Sequence, residues 1–364
     1  MAKDWNRSDI KWAHPEAAEE GWYTVTMGDI KETAKLSREE LLAENEPIGE
    51  LMCATLKESE EEAYQNVEWK EYYTEGGCVE EPDAKPVRVL VGIPKDIKEG
   101  EKLPLYFNFN AGILCFARSY AEMCLSLARP MMYSAIKRFI HISYDCSRCT
   151  PEYQYPASTN DAHAAYQWVL DHAEELHIDT DKIVWSGVSS SAHTALCMAF
   201  RMKRYNWGNA PMPRGLVLMV PVLDDLAFNQ SQQFHITNDD GSKAGWDGEQ
   251  NRFSLKLWLG DRFGEPSLLP EAVPGRATLE DVKGLPPIWI PVEAEFDPGR
   301  DTAYRLVSLL HEAGVFCDLH VWGGNTHHIT SACETDFGKR VRQIIVGAYR
   351  DAVTFDFRRP WLEK

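Results

Sequence analysis

The chain has no apolar stretch long enough to span a membrane, which takes about 20 consecutive residues. Its start, Met1 to Asp9, has no apolar h-region, so no secretory signal is expected. Basic charge is scarce: 38 Lys and Arg stand against 56 Asp and Glu, for a net charge of −18. Nucleic-acid binding needs a basic face, so no nucleic-acid partner is expected. The acidity lies mostly before residue 102, as in Glu58-Ser59-Glu60-Glu61-Glu62, and reads as a solvated helix face. Paired cysteines are lacking as well. Nine is an odd number and they are scattered, which points to reduced thiols and a cytoplasmic protein. Cys146 and Cys149 have C-x-x-C spacing, but no second pair completes a zinc site. There is no internal repeat and no low-complexity linker. The 364 residues suffice for one large α/β core with additions.

The most informative stretch present is Gly187-Val188-Ser189-Ser190-Ser191. It follows the apolar run Ile183-Val184-Trp185 and precedes a helical run from Ala192 to Met202. That is the strand, sharp turn and helix of a nucleophile elbow, which exposes its central serine at a strand tip. Small residues are needed two positions to either side, where backbones pack closely. Gly187 meets that need, and Ser191 stands in for a second glycine. A serine-rich helix N-cap is the bland alternative.

Two later segments strengthen the elbow. Pro286 to Val292 reads as a buried strand, and Glu293-Ala294-Glu295-Phe296-Asp297-Pro298 ends it in acidic residues at a proline turn. A helix follows from Asp301 to Ala313, closed by Gly314. An alternating strand, Val315 to Trp322, then leads into Gly323-Gly324-Asn325-Thr326-His327-His328. A serine, an acid and a histidine thus each follow a strand's carboxyl end, where sites in open α/β sheets assemble. Their order is that of α/β-hydrolases.

Four stretches together resemble the hormone-sensitive-lipase-like branch of the α/β-hydrolase superfamily (alpha/beta hydrolase fold-3 type). Lys102 to Ile113 sits where that family has a strand and its H-G-G-G loop. Ser147-Arg148-Cys149-Thr150-Pro151-Glu152 with Tyr155-Pro156-Ala157 is similar to its Y-R-L-A-P-E and F-P-A run. Gly187 to Ala192 is similar to G-D-S-A-G-G, and Glu295 to Asp301 to E-Y-D-P-L-R-D. The resemblance covers roughly residues 86 to 350. It implies a mostly parallel central sheet flanked by helices, with a helical cap. It implies a nucleophile at Ser189, an acid at Asp297 and a base at His327. The family's T-H-G pattern favours His327 over His328. It implies oxyanion donors at the backbone N–H groups of Gly112, Ile113 and Ser190. Glu295 is expected to satisfy loop amides, and His193 to be a packing or hydrogen-bonding residue.

The departures matter. The family's H-G-G-G is Asn110-Ala111-Gly112-Ile113 here. The N–H donors survive, but Ala111 and Ile113 cannot take positive φ as cheaply as glycine. Ile113 also puts a β-branched side chain where an acyl group would sit. The loss of one oxyanion donor can cost about 3 kcal/mol, so the altered loop suggests a specialised enzyme.

Strand patterns at Pro86–Pro94, Leu105–Phe109, Phe139–Tyr144 and Leu216–Val222 alternate with helices, the longest from Thr159 to Leu176, and give a parallel sheet. Between Asp224 and Lys283 that rhythm breaks, with one helix around Asn251 to Leu259. The expected organisation is an N-terminal cap segment at 1–85, a first core part at 86–223, a cap insertion at 224–285 and a second core part at 286–364. In the resembling family the insertion joins the N-terminal helices as a cap.

The expected function is a serine hydrolase acting on a small or medium carboxylic ester or lactone, with no cofactor and no metal. A biosynthetic cyclase, lyase or acyltransferase using the same triad on a natural product is the alternative, since some plant alkaloid cyclases resemble carboxylesterases. A non-catalytic ligand receptor is disfavoured by the intact Ser189, Asp297 and His327. The expected partner is a small-molecule substrate. Members of this branch often form dimers, so a homodimer is in keeping with the resemblance.

Overall fold

A computed structural model describes residues 35–37, 39–43, 46–47, 50, 66–110, 138–145, 148, 152–205, 210–225, 229–233, 246–327 and 336–357. Eight strands form one sheet: β1 Val67–Tyr73, β2 Arg88–Pro94, β3 Leu103–Asn108, β4 Ile140–Tyr144, β5 Ile178–Val188, β6 Gly215–Met219, β7 Ile288–Ala294 and β8 Cys317–Trp322. Their spatial order is β1-β2-β4-β3-β5-β6-β7-β8. β2 runs antiparallel to β1 and β4, and every pair from β4 to β8 is parallel. β4, β6 and β7 are buried along their whole length. That is why they appear in the sequence as continuous apolar runs rather than alternating ones, as expected of strands covered on both faces.

Five helices matter here: α1 Ala157–Asp171, α2 Ser190–Tyr205, α3 Gly248–Leu259, α4 Arg300–Glu312 and α5 Asp336–Thr354. Ala165, Leu196, Ala199, Leu306 and Leu310 of α1, α2 and α4 share one core cluster with Phe107, Trp185 and Ile290 of the sheet. Phe337, Val341, Ile345 and Tyr349 of α5 cover the other face, against Tyr106, Val217 and Val292. This is the predicted mostly parallel sheet with helices on both sides. At the far end of the sheet lies a cleft of about 1000 Å³ whose walls include Arg214, Pro287 and Phe316.

The sheet starts earlier than the sequence reading placed it. β1 lies inside the 1–85 stretch assigned to the cap segment, yet it pairs with β2 over its full length, from Val67 opposite Pro94 to Tyr73 opposite Arg88. It is an edge strand with mostly solvated side chains, including Glu68 and Glu71, so its apolar alternation is diluted. α1 also stops earlier than expected, at Asp171, and a turn through His177, at φ 58°, leads into β5.

The 224–285 excursion is anchored on α2. Leu255, Trp258 and Leu259 of α3 pack with Leu268, Ala272 and Val273 against Cys197 and Val222. Buried Asp225 accepts two hydrogen bonds from the Arg276 guanidinium, at 3.0 and 2.7 Å. α3 begins with a capping box in which Asp247 and Gln250 satisfy each other's backbone N–H groups.

Candidate active site

β5, β7 and β8 each end at the same edge of the sheet, and the turns beyond them carry the three predicted side chains. β5 and β7 are separated by β6, which sets their ends about 10 Å apart. A histidine from β8 can bridge that gap only if its loop folds back over the strand ends.

The β5 turn places Ser189 at φ 58°. A non-glycine residue in that region costs about 1–3 kcal/mol unless its surroundings hold it there. Several contacts do. The Ser189 N–H donates to the Met219 carbonyl at 2.8 Å, and the Ser189 carbonyl accepts from the His193 N–H at 3.2 Å. A Cβ on Gly187 would lie 2.5 Å from the Ala192 nitrogen, so only glycine lets strand and helix approach this closely. Ser191, the departure from the family's second glycine, closes the turn with its hydroxyl. Its Oγ accepts from the Val188 N–H and donates to the Val188 carbonyl, both at 2.7 Å. Ser190 is the first residue of α2, where backbone N–H groups have no acceptor within the helix.

The structure brings Ser189, His327 and Asp297 into one hydrogen-bonded chain. Ser189 Oγ lies 2.7 Å from His327 Nε2. His327 Nδ1 hydrogen-bonds Asp297 Oδ2. Asp297 Oδ1 accepts from the Gly299 N–H at 2.6 Å, which fixes the carboxylate plane. Asp297 and His327 are both buried. The acid and histidine loops are sewn together. Glu295 Oε2 accepts from the Gly324 N–H at 2.7 Å, and the Phe296 N–H donates to the Asn325 carbonyl at 2.9 Å. Glu295 thus satisfies loop amides, as the sequence predicts. His193 is taken up by packing: its ring nitrogens lie 2.7 Å from the Val222 carbonyl and 3.2 Å from the Ala272 carbonyl. Burial lowers its pKa to about 4.

Gly112, Ile113 and His328 lie outside the described residues. Asn110, which opens the altered oxyanion loop, is buried and donates from Nδ2 to the Tyr144 carbonyl.

Two site features have no clear signal in the sequence. Trp246, from the 224–285 excursion, is buried with its ring 6.0 Å from that of His327 and inclined by 27°. Glu293, on β7, is fully buried; its Oε1 accepts from the Ala294 N–H at 2.8 Å, and Oε2 has no partner among the described residues. Burial, reinforced by the negative charge of Asp297, pushes its carboxyl well above the usual carboxylate range. The β7–β8 register shifts between Ile290 and Glu293, and β7 is buried along its whole length. Simple alternation could not have placed it.

Residues 112–331, more than half of the chain, match the family model described as alpha/beta hydrolase fold. Esterase LipI of Mycobacterium tuberculosis is 30% identical over 173 residues, which is 48% of this chain and 50% of that protein. Carboxylesterase NlhH of the same organism is 31% identical over 176 residues, 47% of this chain and 51% of that protein. The chain spans about half the length of these curated relatives. Among solved structures, a bacterial heroin esterase superposes with a TM-score of 0.74 at 22% identity, over 94% of this chain and 99% of the other. This chain belongs to the alpha/beta hydrolase fold family.

Proposed function

We propose that this protein is a serine carboxylesterase acting on a small or medium carboxylic ester or lactone. The observation that carries the reading is the continuous chain from Ser189 Oγ through His327 to buried Asp297. Ser189 Oγ attacks the ester carbonyl carbon while His327 Nε2 takes the hydroxyl proton. Asp297 holds the proton of Nδ1 and stabilises the imidazolium. The carbonyl oxygen becomes an oxyanion, for which the N–H groups of Ser190, Gly112 and Ile113 are the proposed donors. The intermediate collapses, and the leaving alcohol takes the proton from His327. Water then attacks the acyl-enzyme and gives a proton to His327. Release of the acid returns that proton to Ser189. No cofactor or metal enters this cycle.

The relatives' printed names, Esterase LipI and Carboxylesterase NlhH, support ester hydrolysis. The altered loop Asn110-Ala111-Gly112-Ile113 and the Trp246 ring against His327 support a narrowed, specialised site. The same machinery could pass the acyl group to an internal nucleophile, as a cyclase or acyltransferase does. Product analysis in labelled water separates these readings, because only hydrolysis puts solvent oxygen into the acid. The test of the reading itself is covalent labelling by an organophosphonate followed by peptide mapping. Ser189 is the expected site, and stable modification at another serine overturns the assignment.

A further inference from the structure

Away from the triad, the excursion that joins β1 to β2 meets the first half of α1. Three metal-ligating side chains converge there. The donor atoms of Cys78, Glu80 and His163 all lie within 4.8 Å of one another. We propose that Cys78, Glu80 and His163 bind a divalent transition-metal ion, zinc by the chemistry of the set, and that the ion ties this excursion to α1.

The donor set selects the ion. A thiol, an imidazole and a carboxylate suit a borderline-soft ion. Calcium and magnesium favour oxygen alone. In a tetrahedral zinc site, with bonds of about 2.0–2.3 Å, neighbouring donors sit roughly 3.3–3.7 Å apart. Small side-chain rotations would bring this set to that spacing. Glu80 and His163 already meet, Oε2 to Nδ1, at 2.8 Å.

The three side chains are preorganised. Cys78 and His163 are buried, while the Glu80 side chain remains 30% exposed. That leaves an approach from solvent and a fourth position for water. The backbone around Cys78 and Glu80 is held by its own hydrogen bonds: Thr74 N–H to Val87 carbonyl, Gly77 N–H to Pro82 carbonyl, and Glu81 N–H to Cys78 carbonyl. Two of the ligands therefore sit on a fixed turn, and the third on a helix.

The local charge also balances. A thiolate and a carboxylate together neutralise a divalent ion. Arg201 lies 3.5 Å from Glu80, and on its own it would repel a metal. It also donates to Asn160 Oδ1 at 2.7 Å, and Asn160 in turn donates to Glu81. Glu81 and Asp161 carry the charge that balances Arg148 and Arg201. With Glu80 given to the ion, the neighbouring groups are still two cations and two anions. Metal ligation takes the thiol as thiolate and the imidazole in its neutral form. One proton is released for each ion bound.

The test uses the full chain, reduced and freed of metal. Cobalt(II) titration is expected to give a thiolate-to-cobalt charge-transfer band that saturates at one ion per chain and is displaced by zinc. That band should vanish in Cys78→Ser and weaken at least tenfold in apparent affinity in His163→Gln. Zinc should raise the Tm of the wild type by several degrees and leave that of Cys78→Ser unmoved. Triad activity of the cobalt-free protein should be retained in both variants, which separates failure of this site from failure of the esterase reading. If wild type shows no thiolate band, or a band that survives Cys78→Ser, the three residues are a hydrogen-bonded cluster only and the proposal is overturned. If Cys78→Ser folds poorly, the wild-type stoichiometry and displacement, with His163→Gln, still decide.

Discussion

Trp246 lies against His327, with ring centroids 6.0 Å apart and planes only 27° from parallel. The indole comes from the 224–285 excursion and the imidazole from the loop after β8. The contact therefore links that excursion to the proposed general base. The imidazole that the indole faces is hydrogen-bonded to both Ser189 and Asp297.

Trp246→Ala is accordingly expected to lower kcat on a short-chain p-nitrophenyl ester. Aromatic ring pairs contribute about 0.5–1.5 kcal/mol beyond simple burial, which corresponds to a loss of roughly two- to twelvefold. Trp246→Phe should recover most of it, because a ring is retained. Equal kcat in wild type and the alanine variant, measured at saturating substrate, would show that the indole does not position His327.

The Ser191 clasp gives a second expectation. Its hydroxyl makes two hydrogen bonds to Val188 across the strained Ser189 turn. Ser191→Ala leaves the Val188 N–H without that acceptor, at a cost of about 1–3 kcal/mol. Urea denaturation should report a loss of that size. The loss in kcat should exceed that of a surface Ser→Ala control. Ser191→Gly, although it restores the family's residue, should not be more stable than wild type. A glycine variant of equal or greater stability would refute the clasp.

Glu293 provides a prediction in pH. Its folded carboxyl is held well above the usual carboxylate range, by burial first and then by Asp297. Below the unfolded carboxyl pKa both states are protonated, and the group has no effect on stability. As pH rises past that value the unfolded chain loses its proton while the folded one keeps it, so folding becomes progressively less favourable. Glu293→Gln replaces the neutral acid with a neutral amide. Its Tm should match wild type near pH 4 and rise above it at neutral and alkaline pH. A thermal-denaturation series from pH 4 to pH 9 reads this directly. A variant destabilised equally at every pH would mean that Glu293 contributes packing alone.

Much of the candidate site was legible because its parts are local. Gly187, Ser189 and the flanking apolar runs lie within one strand–turn–helix unit, and turn chemistry imposes small residues at fixed offsets there. The acid turn at Asp297 and the loop to His327 follow their strands in the same way. The edge strand β1 was not legible. One face of it is solvated and its carboxylates interrupt the apolar alternation, so pairing with β2 decides it.

The sequence by itself determined the order of the strands from β2 to β8 with the helices α1 to α4 between them, the covered character of the central sheet and the three turns bearing Ser189, Asp297 and His327. Those follow from periodicity and backbone sterics, which act over a few residues. Tertiary structure alone decided that Ser189 and His327, 138 positions apart, meet at 2.7 Å. It alone placed Trp246 beside the imidazole, buried Glu293 at a break in register and gathered Cys78, Glu80 and His163. Those pairings depend on how distant surfaces pack, and no local pattern of residue types carries that information.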